Sequence, residues 1–346
     1  MTNNEMVTRK YSFSNNTVDC FFNAKFSRLE ELVNKENTFL ITDENVFAKQ
    51  ADKFAGWKTM VLKPGELFKN QDTVNYAIDQ LIQLQADRQS FIVGVGGGVI
   101  TDIAGFVASI YMRGIKFGFV PTSILAMVDA SIGGKNGIDV GVYKNLVGVI
   151  NHPQFLLHDY SFLETLPDEE WVNGFAEIIK HACIKDASMF HFLQEGTLAG
   201  FQSSVDEIRK LIQQNVDIKY NVVANDERES GERKLLNFGH TIGHAIENAA
   251  ELPHGSAISI GMMVACAISE KINNFSNEET EKIRSLLSRY QLPVAFNIDK
   301  ANTWNILVHD KKKSGSNISF VVLDKIGKAS LKKISLTDLQ QLFYSL

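Results

Sequence analysis

Four glycines fall within five positions of FIVGVGGGVITD, residues 91–102, between an apolar run that reads as a strand and a pattern that opens a helix. Backbone N–H groups at such a turn can approach a phosphate, and the helix N-terminus adds partial positive charge there. The flanking sequence repeats the alternation. Runs 38–42, 60–62, 91–95 and 117–120 read as strands, while Val74, Ala77, Ile78 and Leu81 recur at helical spacing over 74–84. Strand and helix in turn predict a parallel sheet covered by helices. The glycine spacing departs from the dinucleotide fingerprint. Val99 stands where Gly or Ala is usual, and no acidic residue follows about 20 positions on. A tight strand-to-helix turn without a ligand is the plain alternative. A second device, GGKNG at 133–137, places Lys135 beside exposed backbone donors, which suits an anion or a simple loop.

From about residue 159 the pattern changes to long helical periods at 169–184, 205–224, 235–250, 257–271 and 278–287. A small hairpin is expected from 318–323 and the run after Gly327, with Ser335 capping a last helix. A length of 346 residues allows about two domains. The expected division is an α/β Rossmann-like domain over 1–160 and a mainly helical domain over 161–346, with the seam in the turn-rich stretch 159–168.

Thirty-five basic against 40 acidic side chains leave a net charge of −5, which gives no sequence-independent attraction to nucleic acid or an anionic membrane. A small-molecule partner is expected instead. Cys20, Cys183 and Cys266 lie far apart without CxxC spacing, so neither a disulfide framework nor a thiolate metal site is expected. The apolar runs, including 260–268, read as too short to span a bilayer, and a soluble cytoplasmic protein is expected.

The chemistry concentrates in KLLNFGHTIGHAIE, residues 234–247, which reads as helix and puts His240 and His244 on one face. His254 follows in LPHG, where Pro253 and Gly255 suggest a loop. HExxH is absent, and any two or three of these histidines could be ligands. Glu177, in GFAEIIK, lies on the apolar side of a helix with Lys180 three residues on. A buried carboxylate is costly unless paired or metal-bound, so Glu177 is an ion-pair partner or a ligand. Taken singly, each of these groups is as readily a satisfied structural residue. Two or three His and Glu ligands with an open position describe a catalytic site, with zinc the first candidate. Lys135, Lys144, Lys219, Arg233 and Arg113 are singly unremarkable, since most cations are solvated. Were the two halves to fold over one another, they could bracket a ligand with more than one negative charge, such as a phosphorylated sugar acid.

In order, PGELFK (64–69), GGGVITDIAGFVAS (96–109), YMRG (111–114), PTSILAMVDASIGGKNG (121–137), YKNLVG (143–148), GFAEIIK (174–180), NDERESGERKLLNFGHTIGHAIE (225–247) and HG (254–255) resemble the 3-dehydroquinate synthase family of sugar phosphate cyclases over nearly the whole chain. The resemblance implies a Rossmann-like domain followed by a helical one, an active site between them, and a homodimer. It implies Glu177, His240 and His254 as ligands of Zn²⁺, with Co²⁺ a substitute. For NAD it implies Asp43, Asn45, Glu66, Lys69, Gly97, Gly98, Asp102, Thr122, Ser123, Asp129, Lys135, Lys144, Phe162, Thr165 and Asn173. For a phosphorylated keto-sugar acid it implies Arg113, Asp129, Lys135, Asn145, Lys180, Lys219, Arg233, Asn237 and His244, with Lys311 or Lys312.

The implied reaction converts 3-deoxy-D-arabino-heptulosonate 7-phosphate to 3-dehydroquinate by transient oxidation, phosphate elimination, reduction, ring opening and aldol closure, with no net NADH. Ser123, Met127, Ala130 and Asn136 depart from the family's usual residues without removing a ligand or cation. A cyclase acting on sedoheptulose 7-phosphate would be expected to change the carboxylate- and phosphate-holding groups. A metal-dependent polyol dehydrogenase would release NADH and need no cation cluster. A non-catalytic binding protein would not need the complete ligand set.

Overall fold

The computed structural model describes residues 6–14, 16–141, 143–295, 298–311 and 317–346, with side chains outside 309–311. Two compact units emerge: Met1–Glu170 with Val205–Tyr220, and Trp171–Ser204 with Asn221–Leu346. The segment Val205–Tyr220, which periodicity groups with the helical half, clusters with the first unit.

The first unit is built on a sheet in the order β1-β2-β9-β6-β5-β3-β4. Its strands are β1 (Val7–Ser12), β2 (Thr17–Phe22), β3 (Thr38–Asp43), β4 (Lys58–Leu62), β5 (Phe91–Gly96) and β6 (Lys116–Pro121). A separate hairpin follows, β7 (Lys135–Val140) and β8 (Tyr143–Ile150), and β9 (Phe155–His158) then returns to the sheet. All neighbours pair in parallel except β1 with β2. β3 is buried at every position, as expected of a strand covered on both faces. The predicted strands at 38–42, 60–62, 91–95 and 117–120 are β3 to β6. β1, β2, β7, β8 and β9 were not expected; β8 is mostly exposed and lacks a clean apolar period.

The glycine turn runs from β5 through Gly97 into the Gly98–Ile110 helix. A Cβ on Gly96 would lie 2.5 Å from Cβ of Ile100, so the absent side chain lets the helix close over the strand end.

The second unit is helical, with the hairpin β10 (Asn317–Lys325) and β11 (Lys328–Ser335). Ser335 caps the Leu336–Tyr344 helix by accepting the Asp338 N–H at 3.0 Å. The Asp168–Lys185 helix presents Phe175 to Tyr290, with ring centroids 4.8 Å apart.

Three expectations require correction. The predicted helix over 235–250 is broken: Glu232–Asn237 is a 3-10 turn, Gly239 adopts φ 79°, and the α-helix begins at His240. A Cβ on Gly239 would meet Met262 Cγ at 2.7 Å, so both the left-handed backbone and the packing demand glycine. His254 lies not in a loop but at the first position of the His254–Asn273 helix, after Pro253. That helix, with 20 residues and mean hydropathy 1.3, is long and apolar enough to cross a bilayer, contrary to the expectation of short runs; 67% of its apolar window is buried inside the protein.

Gly96→Ala is expected to destabilise the first unit by about 1–3 kcal/mol through overpacking against Ile100. Urea unfolding followed by circular dichroism would show this as a lower midpoint at an unchanged slope.

Candidate functional site

In the second unit, three helices bring Glu177, His240 and His254 together, with one ligand atom of each within 4.8 Å of the others. Glu177 is fully buried on the Asp168–Lys185 helix. Its Oε1 lies 3.4 Å from Nε2 of His240 and 3.3 Å from Nε2 of His254. A tetrahedron with metal–ligand bonds of about 2.0–2.1 Å has edges of roughly 3.3–3.4 Å, so the two observed separations suit a shared ion. The other ring nitrogens are engaged on the far side. Nδ1 of His240 is 3.1 Å from the Phe238 carbonyl oxygen, and Nδ1 of His254 is 3.3 Å from Oε2 of Glu247. Such outer partners fix the tautomer and aim Nε2 inward.

The electrostatics of this cluster call for positive charge. Burial opposes ionisation of Glu177, yet Lys180 and His240 hold its carboxyl well below the usual range. Burial pushes the His240 imidazole down toward the neutral form a ligand requires. Burial also disfavours protonated His254, but hydrogen bonds to Glu177 and Glu247 outweigh it and raise its pKa to about 9. Two carboxylates around His254 therefore draw in a cation, either a proton or a metal ion. Lys180 pairs with the second oxygen of Glu177.

A second possible triad, His244, Glu247 and His254, shares His254. The first is favoured because both Nε2 atoms face one oxygen of the more deeply buried carboxylate. Glu247 was missed in the sequence. It lies three residues after His244 and seven after His240, a helical spacing that could have flagged it. Glu229 was also missed; its Oε1 accepts from Asn237 Nδ2 at 2.5 Å. Arg233 is buried and donates to the Glu227 carbonyl at 2.6 Å. Asn173 accepts the Gly255 N–H, next to His254. Lys311 ends a helix with its side chain outside the described residues, and Lys312 lies outside them altogether.

In the first unit, the glycine turn leaves the Gly98–Ile110 helix without a side-chain N-cap. A Cβ on Gly97 would meet only Ser123 Oγ, at 3.5 Å, so there is open space beside the backbone of this turn. These features fit a dinucleotide. Ser123 and Thr122 follow the end of β6 and are buried. Asp43 caps the Glu44–Lys49 helix, its Oδ1 accepting from Asn45 N–H at 2.9 Å and Val46 N–H at 3.0 Å, and burial raises its pKa.

Lys69 is the centre of a polar cluster. Its Nζ is 2.6 Å from Asp102 Oδ2, 2.6 Å from Asn145 Oδ1 and 3.8 Å from Glu66 Oε1. Asn145 thus stands with the expected dinucleotide residues and has φ 53°. Lys219 is 2.8 Å from Asp129 Oδ1 and donates to the Asp129 carbonyl at 2.6 Å. Arg113, Lys135 and Lys144 are exposed or half-buried. Phe162 packs in the apolar core, and the Thr165 hydroxyl accepts from Gln50 at 3.0 Å.

Among known proteins the chain matches two consecutive family models, and the second includes the segment 205–220 that clusters with the first unit. Residues 59–173 match the 3-dehydroquinate synthase N-terminal family and residues 174–313 the corresponding C-terminal family. The 3-dehydroquinate synthase of Clostridium beijerinckii is 38% identical over 317 residues, covering 88% of this chain and 90% of that one. The fold matches 2-epi-5-epi-valiolone synthase from Streptomyces hygroscopicus, solved with NAD⁺ and Zn²⁺, at TM-score 0.87 and 24% identity over 97% of this chain and 98% of that one. It also matches 2-deoxy-scyllo-inosose synthase, solved with carbaglucose-6-phosphate, NAD⁺ and Co²⁺, at TM-score 0.85 and 24% identity over 98% of this chain and 100% of that one.

Calorimetric titration of metal-free protein with Zn²⁺ separates the two triads. Glu177→Gln and His240→Ala are expected to abolish binding, Glu247→Gln to weaken it by about 10–100-fold, and His244→Ala to leave the ion bound. Binding retained without His240 and lost without His244 would reverse the assignment.

Proposed function

Because this chain belongs to the 3-dehydroquinate synthase family, we propose that it converts 3-deoxy-D-arabino-heptulosonate 7-phosphate to 3-dehydroquinate and inorganic phosphate. The observation that carries the reading is the convergence of Glu177, His240 and His254 on one point within a chain that matches both halves of that family. These three residues would hold Zn²⁺ or Co²⁺. The glycine turn, with Asp43, Asn45, Glu66, Lys69, Asp102, Thr122 and Ser123, would hold NAD, joined by Asp129, Lys135, Lys144, Phe162, Thr165 and Asn173. When bound, the ion would supply Lewis acidity toward the substrate's ring alcohol and NAD would supply reversible hydride acceptance, with no net redox change expected.

The chain's own residues orient and neutralise. In the second unit, Lys180, Arg233, Asn237 and His244 would bind the substrate's phosphate and carboxylate oxygens, Arg233 through its planar donor fork. In the first unit, Arg113, Asp129, Lys135, Asn145 and Lys219 would supply further substrate-binding groups, as the family resemblance implies. Lys180, already paired with Glu177, would fix the leaving phosphate while balancing the carboxylate's charge. Holding a leaving group in line beside the bond to be broken is positioning, and such orientation accelerates elimination without a strong base. Lys311 or Lys312 would add one further cation. A cytoplasmic location and a homodimer complete the reading, both implied by family resemblance.

The test is to mix protein, NAD, Zn²⁺ and 3-deoxy-D-arabino-heptulosonate 7-phosphate. Phosphate should appear in step with consumed substrate while absorbance at the NADH band stays flat. Accumulating NADH would indicate a dehydrogenase, and turnover only with sedoheptulose 7-phosphate a different cyclase. Lys180→Ala should lower kcat by about 100-fold or more, the scale for losing one charge-stabilising group, with Zn²⁺ stoichiometry intact.

A further inference from the structure

Between the Val205–Asn225 helix and the Glu232–Asn237 turn the chain forms a short irregular loop, and this loop is organised around a single carboxylate. Oδ1 of Asp226 accepts the Ser230 N–H at 2.9 Å and the Ser230 hydroxyl at 3.0 Å. Oδ2 accepts the Gly231 N–H at 2.7 Å and the Arg233 N–H at 3.0 Å. The Asp226 carbonyl oxygen accepts the Glu229 N–H at 3.2 Å. Partial desolvation would raise the pKa of Asp226, but the N–H donors of Gly231, Ser230 and Arg233 outweigh it and hold it near 2. The hub is therefore an anion across the working pH range of an enzyme.

Two side chains assigned above to the substrate are held by groups of this same loop. The Arg233 guanidinium donates to the Glu227 carbonyl at 2.6 Å, and the Asn237 amide donates to Glu229 Oε1 at 2.5 Å, from a residue with φ 59°. Glu227 and Glu229 lie inside the ring of residues that Asp226 ties together. The backbone N–H of Arg233 is itself one of the four donors. An Arg or Asn aimed at an anion is effective only when its donors are fixed before the ligand arrives.

We infer that Asp226 is a positioning residue for substrate binding: by gathering the backbone N–H groups of residues 230, 231 and 233 it fixes the loop atoms that orient Arg233 and Asn237. This rests on the reading that those two side chains contact the phosphorylated keto acid. Asp226 itself need not touch the ligand. A purely structural cap would stabilise the loop without affecting substrate affinity selectively, and the experiment separates the two.

Steady-state kinetics with the zinc- and NAD-loaded enzyme would compare Asp226→Ala, Asp226→Asn, Arg233→Lys and the double variant Asp226→Ala/Arg233→Lys. Asp226→Ala should raise KM by about tenfold with a much smaller change in kcat. Asp226→Asn keeps the shape, but its amide NH₂ opposes backbone donors, so it should move KM the same way and serves if the Ala variant folds poorly. In the double variant the loss of Asp226 should add less than about twofold to KM, because residues acting as a unit are not additive. NAD affinity and zinc content should match wild type. Without any ligand, hydrogen exchange at the Gly231 and Arg233 amides should speed up by about tenfold or more in Asp226→Ala, since their acceptor is gone. Wild-type KM in both Asp226 variants, a fully multiplicative double variant, or unchanged amide exchange would each overturn the inference. An unchanged KM in Arg233→Lys would instead overturn the assignment of Arg233 on which it rests.

Discussion

A carboxylate with no exposed surface, Glu177, sets the terms for the second unit. An isolated ionised group in such a place costs many kcal/mol, so the fold must surround it with positive charge or polar hydrogens. It does so from three directions: Lys180 one turn along the same helix, His240 at the first position of a second helix, and His254 at the first position of a third. Both imidazoles stand at helix N-termini, a local field that disfavours their protonation, and at His254 the hydrogen bonds to Glu177 and Glu247 outweigh the opposing effects and raise its pKa. A divalent ion satisfies the same carboxylate without protonating either ring. One arrangement of three helices thus both neutralises Glu177 and offers the ligand set proposed for the metal.

The first unit meets a related difficulty with opposite sign. Lys69 is almost wholly buried, and burial disfavours its charge. Asp102 and Glu66 reverse that and raise its pKa, with the Asp102 carboxylate only 2.6 Å away. Asp102 sits on the helix that begins at the glycine turn, so the ion pair ties that helix to the segment after β4. Asn145, reached from β8, closes the cluster. A polar network of this kind gives direction where an apolar core would give only cohesion.

Much of this was legible in residues 91–102 and in the histidine spacing, because both signals are local: glycines mark backbone shape, and residues four apart share a helical face. The alternation of strands and helices likewise followed from short-range periodicity. What escaped was set by distant partners. β9 contributes four buried residues whose role depends on β2 and β6, and β1 and β2 are antiparallel additions to a parallel sheet. The break before His240 hid because part of what demands glycine at position 239, the close approach of Met262, lies on another helix. His254 read as loop because Pro253 and Gly255 flank it, yet proline is well suited to the position just before a helix, and Gly255 packs against the Asn173 backbone, where a Cβ would lie 2.4 Å from its carbonyl oxygen. Glu229 was overlooked for a plainer reason: an acidic residue in a loop carries no mark of what it faces, whereas the spacing of Glu247 from His240 and His244 was available and went unused.

Three of the cations assigned to the substrate, with one amide, share a property that bears on how such a site would work. Each is engaged by an acidic or carbonyl oxygen of its own unit: Lys180 by Glu177, Lys219 by Asp129, Arg233 by the Glu227 carbonyl, and the Asn237 amide by Glu229. With a net charge of −5 the protein supplies no general attraction for an anion, so recognition must come from these local groups. Internal partners lower the cost of ordering long side chains, since the rotamers are already selected when the ligand arrives. They also partly neutralise the cations, which tempers affinity for the ground state. A dianionic phosphate that gains charge as it leaves would draw more from the same donors than the resting ester does. That difference, and not tight binding of substrate, is what can accelerate an elimination.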